Sequence, residues 1–83
     1  MKKKIYETDI HTGCYLEVEE TDTGSTSWIR NHSLGSNIFV CGITADEAAD
    51  EVKFEGFLEY SLEIFHIMTR GRVMSRRRAR RKK

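Results

Sequence analysis

The chain has 83 residues, 39% of them hydrophobic and 33% charged, with a formal net charge of +1. That length allows one domain around one small core, leaves little room for an enclosed catalytic cleft, and makes a homodimer an attractive way to bury more surface. The net charge hides a division: residues 1–69 hold all 13 acidic residues against five basic ones, while residues 70–83 hold the other nine basic residues and no acid.

Taken in order, Met1-Lys2-Lys3-Lys4 has the cationic start of a signal peptide, but Glu7, Asp9 and His11 stand where its apolar segment would lie. No later apolar run approaches a membrane span, so a cytoplasmic location with no membrane partner is expected. Ile5, Tyr6, Thr8 and Ile10 suit a strand. His11-Thr12-Gly13 reads as a turn in which Gly13 takes a positive φ. Cys14 to Thr21 alternates Leu16 and Val18 with Glu17 and Glu19, the pattern of a half-buried strand, and the two strands form a hairpin. Asp22 to Ser36 is rich in Gly, Ser, Thr and Asn and reads as a loop, interrupted by Trp28 and Ile29 as a short strand or an anchor on the core.

Asn37 to Ile43 is a continuous apolar run of strand length, the best candidate for a central strand covered on both faces. Thr44 and Glu47 have the spacing of a capping box, and Asp46 and Glu47 suit the positive end of a helix dipole. A helix is therefore expected from Ala45 to Glu55, ended by Gly56. After it, Leu58, Tyr60, Leu62 and Ile64 alternate with Glu59, Ser61 and Glu63, which favours a strand over Phe57–Met68. The rival reading is one kinked helix to Thr69. The expected fold is α+β: a small sheet of three to four mostly antiparallel strands with one helix on one face, in the order β-β-β-α-β. Residues 1–69 form this acidic domain, and 70–83 follow as a basic C-terminal arm that does not fold by itself.

The arm carries Arg70, Arg72, Arg76, Arg77, Arg78, Arg80, Arg81, Lys82 and Lys83. Guanidinium forks match phosphate oxygens and stay charged at any cellular pH. With no aromatic residue in the run, it is expected to bind RNA or DNA through the phosphates without reading sequence, or to engage a ribonucleoprotein. Against this stand two plainer readings: the arm folds back on its own acidic body, or it is a nuclear address. The carboxylates suggest a second surface, made of Glu17, Glu19, Asp46, Asp50, Glu59 and Glu63 with Trp28, that docks on a basic protein. Their spacing is also that of an ordinary solvated face, and Trp28 reads first as a packing residue and only second as a stacking platform.

Catalysis and cofactors find little support. His11 and Cys14 have a zinc-ligand spacing, and His32, Cys41 and His66 could add ligands, but no second regular pair exists, so no metal site is assigned. Cys41, in the most apolar strand, is expected to be a buried thiol rather than a nucleophile. Two cysteines make no disulfide framework; a single bridge between Cys14 and Cys41, if they lie on neighbouring strands, is the less favoured alternative to free thiols. No nucleophile elbow, phosphate loop or paired-carboxylate motif appears, and the chain reads as a non-enzymatic binding protein without a cofactor.

One stretch resembles a known family. A strand followed by Gly42-Ile43-Thr44-Ala45-Asp46-Glu47-Ala48, after a two-strand start, is similar to the small antitoxins of the HicB type. The loop before Asn37 lacks the proline usual there, and no DNA-binding domain follows. The resemblance implies a partner-neutralising role. With the small, acidic, compact style common among phage-encoded inhibitors such as anti-CRISPR proteins, it keeps open the alternative reading of an antitoxin-like or anti-CRISPR-like inhibitor whose acidic surface blocks a nucleic-acid-handling complex. A third reading is a subunit whose arm orders only inside an assembly.

Overall fold

The structure is a computed structural model that describes the backbone of residues 2–81 and the side chains of residues 2–70. Four strands, β1 (Lys2–Asp9), β2 (Cys14–Thr21), β3 (Gly24–Asn31) and β4 (Asn37–Thr44), are followed by a short helix α1 (Ala45–Ala49) and a long helix α2 (Glu51–Arg81). The strands pair antiparallel in the order β1-β2-β3-β4, so the sheet is a meander with β1 and β4 at its edges. The fold is α+β, as expected. The element order is β-β-β-β-α-α instead of β-β-β-α-β.

Three expectations are corrected here. The first concerns the Gly/Ser/Thr-rich stretch after Asp22, which is a full strand, β3, joined to β2 by a tight turn at Asp22 and Thr23. Its inward side chains include Ser25 and Ser27, both fully buried, and Ile29. Small polar residues fill positions where an apolar signal would have announced a strand. Gly24 closes this turn at φ 149°, and a Cβ there would stand 2.0 Å from the Ile43 carbonyl oxygen, so no other residue fits. Gly13 takes the expected positive φ, 76°, in the first hairpin.

The second correction is that Phe57–Met68 is helix, not strand. The change of helical phase is real, but it occurs at Asp50 and not at Gly56. Asp50 is extended (φ −89°, ψ 117°), which ends α1. Its carboxylate then accepts the Val52 and Lys53 N–H groups at 3.0 and 3.2 Å and caps α2. Gly56 lies exposed within α2, with nothing near its missing side chain. A mid-helix glycine costs about 1 kcal/mol, whereas burying one large apolar side chain yields about 1.5–3 kcal/mol. Phe57 and Phe65 both become buried, so packing outweighs propensity. The capping box at α1 is formed as read: Thr44 Oγ1 accepts the Glu47 N–H at 3.2 Å, and Glu47 Oε1 accepts the Thr44 N–H at 3.1 Å.

The row that α2 lays on the sheet is Phe57, Ser61, Phe65 and Thr69, all buried and four residues apart. Phe65 joins Leu16 of β2 and Ile29 of β3 as the centre of the core, flanked by Tyr6, Cys14, Val40, Leu62 and Ile64. Ser61 Oγ lies 2.8 Å from both Ser27 Oγ and the Phe57 carbonyl oxygen, and Thr69 donates to the Phe65 carbonyl at 2.7 Å. These contacts satisfy the buried hydroxyls and let the helix approach the sheet closely. His66, on one flank of α2, pairs with Glu7 of β1.

β4 is an edge strand with five exposed residues, Asn37, Ile38, Phe39, Gly42 and Thr44, so the expectation of a doubly covered central strand is corrected: β2 and β3 are the interior strands. Cys14 on β2 and Cys41 on β4 are separated by β3 and both are free thiols. The expectation of a separate cationic arm falls largely on residues 71–83, whose side chains lie outside the described part.

Candidate functional site

The candidate residues make three groups, of which the structure describes two in full. The first is the sheet face away from α2. Alternation along β2 and β3, fixed by Leu16 and Ile29 pointing inward, turns Glu17, Glu19, Thr26, Trp28 and Arg30 outward. Phe39 of β4, paired with Trp28, joins them. Trp28 is half-buried, meets Phe39 edge-to-face at 5.3 Å, and donates its indole N–H to Thr26 Oγ1 at 3.0 Å. Arg30 lies over the Trp28 ring, 4.9 Å from its centroid. Its guanidinium donates to Glu17 at 2.8 Å, to Asn37 at 2.6 Å and to Glu19, which Lys3 also approaches at 3.7 Å.

This network changes the meaning of two candidate residues. Glu17 and Glu19 do not form an acidic patch; Arg30 and Lys3 neutralise them. Trp28 is a packed ring with its polar atom satisfied, and the apolar groups that this face offers are Phe39, 53% exposed, and Ile5, 49% exposed and paired with Glu17. Arg30 was missed by sequence reasoning, although a signal existed. It is the single basic residue between Lys4 and Lys53, set in a segment bordered by carboxylates.

The second surface is α2 itself. Glu51, Glu55, Glu59 and Glu63 recur every four residues and are all exposed. At about 100° per residue, Glu59 stands nearly opposite Phe57, so the acidic row includes the solvent side of the helix. Like charges at this spacing oppose helix formation by about 0.2–0.5 kcal/mol per neighbouring pair. Asp46 and Asp50 sit at the starts of α1 and α2, and Asp50 is occupied in capping.

The third is the basic run. Arg70 is exposed. Arg72, Arg76, Arg77, Arg78, Arg80, Arg81, Lys82 and Lys83 lie outside the residues whose side chains are described. The structure therefore brings Glu17, Glu19 and Trp28 together and sets Glu59 and Glu63 on another surface.

Other chemistry is sparse. Among the described residues no group of three or more His, Cys, Asp or Glu side chains converges as metal ligands. Cys41 is half-buried, not fully buried, and its Sγ lies 3.4 Å from the hydroxyls of Ser27 and Ser61, neither of which can act as its base. A shallow concavity at the β2–β3 turn is lined by Lys2, Glu20, Thr21 and Asp22, all exposed. Among the described residues no helix is long and apolar enough to cross a membrane. Comparison with protein-family models, with curated proteins and with solved structures gave no match.

Proposed function

We propose that this protein is a non-enzymatic binding protein whose cationic run, Arg70–Lys83, contacts the phosphates of a nucleic acid or of a ribonucleoprotein. In this reading the sheet domain orients the run and supplies a protein contact. The observation that carries it is charge segregation: nine of the 14 basic residues lie in residues 70–83 with no acid among them. Within the domain, Arg30 and Lys3 are engaged by Glu17 and Glu19, so the remaining cationic density is concentrated at the C-terminal end. A run of guanidiniums without aromatic residues favours phosphate contact over base reading.

The test is fluorescence anisotropy with labelled single- and double-stranded RNA and DNA of arbitrary sequence. Arg76, Arg77, Arg78, Arg80 and Arg81 are replaced together by Gln in the comparison protein. Wild type is expected to bind all four probes, with affinity falling steeply as salt rises; about six phosphate contacts on duplex DNA give a log–log slope of about −5. The quintuple variant is expected to lose most of that slope. Equal binding by both proteins, or none by wild type, overturns the reading.

One observation favours a second reading. The row Glu51, Glu55, Glu59 and Glu63 keeps like charges at a spacing that opposes the helix, an arrangement suited to docking on a basic surface. An inhibitor of a nucleic-acid-handling protein would use it. Here a nuclease-resistant complex would survive removal of residues 70–83 and be lost when the four glutamates become Gln.

A further inference from the structure

We propose that β4 is a docking edge for a second copy of itself, two β4 strands pairing antiparallel about a two-fold axis normal to the sheet. The two edges of the sheet differ sharply. β1 begins Lys2-Lys3-Lys4 and is bulged between Ile5 and Glu7, which are devices that discourage another strand from adding. β4, Asn37–Thr44, carries no charge at all. Its outer line of peptide N–H and C=O groups faces away from β3, and an unpaired edge of that kind calls for another strand.

The self-pairing follows from the bulge in β4. Phe39 faces Trp28 and Cys41 faces Ser27, so Val40 is the extra residue. Ile38 pairs with inward Ile29, Cys41 with inward Ser27 and Ile43 with inward Ser25, while Phe39 and Gly42 pair with outward Trp28 and Thr26. Val40 packs on the inward core. From Asn37 to Thr44 the sides therefore read out, in, out, in, in, out, in, out. That order is the same in both directions.

Residues directly opposite in an antiparallel pair must point to the same face. A regular strand cannot satisfy this with Val40 opposite Cys41 of the second copy; the bulged one can. Asn37 then faces Thr44, Ile38 faces Ile43 and Phe39 faces Gly42, every pair on a shared side. Shifting the register by one residue sets inward against outward side chains. A bulge on an edge usually hinders strand addition, and here it makes the edge complementary to itself.

Exposed apolar groups flank the same edge on both faces. Phe39 and Ile38 are 53% and 43% exposed. On α2, His66 turns toward β1, and the flank on the other side of the buried row carries Tyr60, Ile67 and Met68, about half exposed each. Among the described residues only Leu16, Val18, Ile29, Phe57 and Phe65 form the buried apolar core. For a domain of this size that is a small core, and an isologous interface would extend it.

Light scattering after size exclusion, together with sedimentation over a range of concentrations, tests this with the full chain. A dimer is expected. Replacing Ile38 and Phe39 by Lys, both exposed positions, is expected to weaken dimerisation at least about 100-fold while the circular dichroism spectrum of the fold persists. Oxidation of an Ile38→Cys/Ile43→Cys double variant, made in a Cys41→Ser background because the two Cys41 residues would flank the two-fold axis, is expected to give a covalent dimer, which the Cys41→Ser parent and either single variant do not. Within one chain those positions are about 17 Å apart along the strand, beyond disulfide reach. A monomeric wild type overturns the proposal, as does a dimer indifferent to the lysine substitutions or one that fails to cross-link in this register. None of these readouts involves nucleic acid, so they stand or fall separately from the proposed function.

Discussion

Glu47 shows how much a single side chain does at a helix start. Its carboxylate accepts the Thr44 N–H and lies 3.1 Å from the Thr44 hydroxyl. The backbone bond first, and the hydroxyl second, hold its pKa below the usual carboxylate range. A lowered folded-state pKa contributes stability that is present above the unfolded pKa and lost as pH falls through the folded one. Glu47→Gln keeps the shape of the capping box but removes that titration. Chemical unfolding should find wild type the more stable at about pH 7, with the gap closing as pH falls to about 2. A gap that stays constant with pH would show that the charge of Glu47 contributes nothing. Elsewhere at this scale, sequence and structure agree where the chemistry is local. The Thr44–Glu47 box, the positive φ of Gly13 and the outward turn of Glu17 and Glu19 were all legible, because each depends on neighbours along the chain. The engagement of Glu17 and Glu19 by Arg30 was not, because it depends on which strand lies beside β2.

At the scale of elements, the decisive case is α2. Local signals around Gly56 pointed to a stop, and the alternation after it pointed to a strand. Ser61 was counted as a polar, outward residue, yet it is fully buried against Ser27. Once Ser61 and Thr69 are read as inward, Phe57, Ser61, Phe65 and Thr69 form a helical row. A glycine in that helix carries only its propensity cost, so Gly56→Ala, with nothing nearby to clash, should stabilise the protein by about 0.8–1.0 kcal/mol in urea unfolding. A destabilised variant would instead indicate that Gly56 ends a helix. β3 teaches the same lesson in reverse: its serines look like loop residues until the helix that packs on them is in view.

On the scale of the whole molecule, the domain and the basic run are distinct in chemistry. The last buried side chain among the described residues is Thr69, and the buried core lies before it. Removing residues 70–83 should therefore leave the unfolding free energy within about 0.5 kcal/mol of wild type, while abolishing phosphate binding in the proposed function. A truncated chain that fails to fold would show that the run belongs to the domain. The same scale sets the contrast between the two edges. Lys2, Lys3 and Lys4 guard β1, whereas β4 is uncharged and symmetric in its pattern, which gives the sheet one direction in which to grow.

By itself the sequence determined the α+β class, the first hairpin, the fourth strand, the capped start of the helical segment and the division of charge. Those properties follow from composition and from interactions between residues a few positions apart. Only the tertiary structure decided that Phe57–Met68 is helix, that the serine-rich stretch is a strand, and that the most apolar strand lies at an edge. In each case the outcome turns on which surfaces meet. A hydroxyl is polar or packed, and a strand central or peripheral, according to a neighbour distant in the chain.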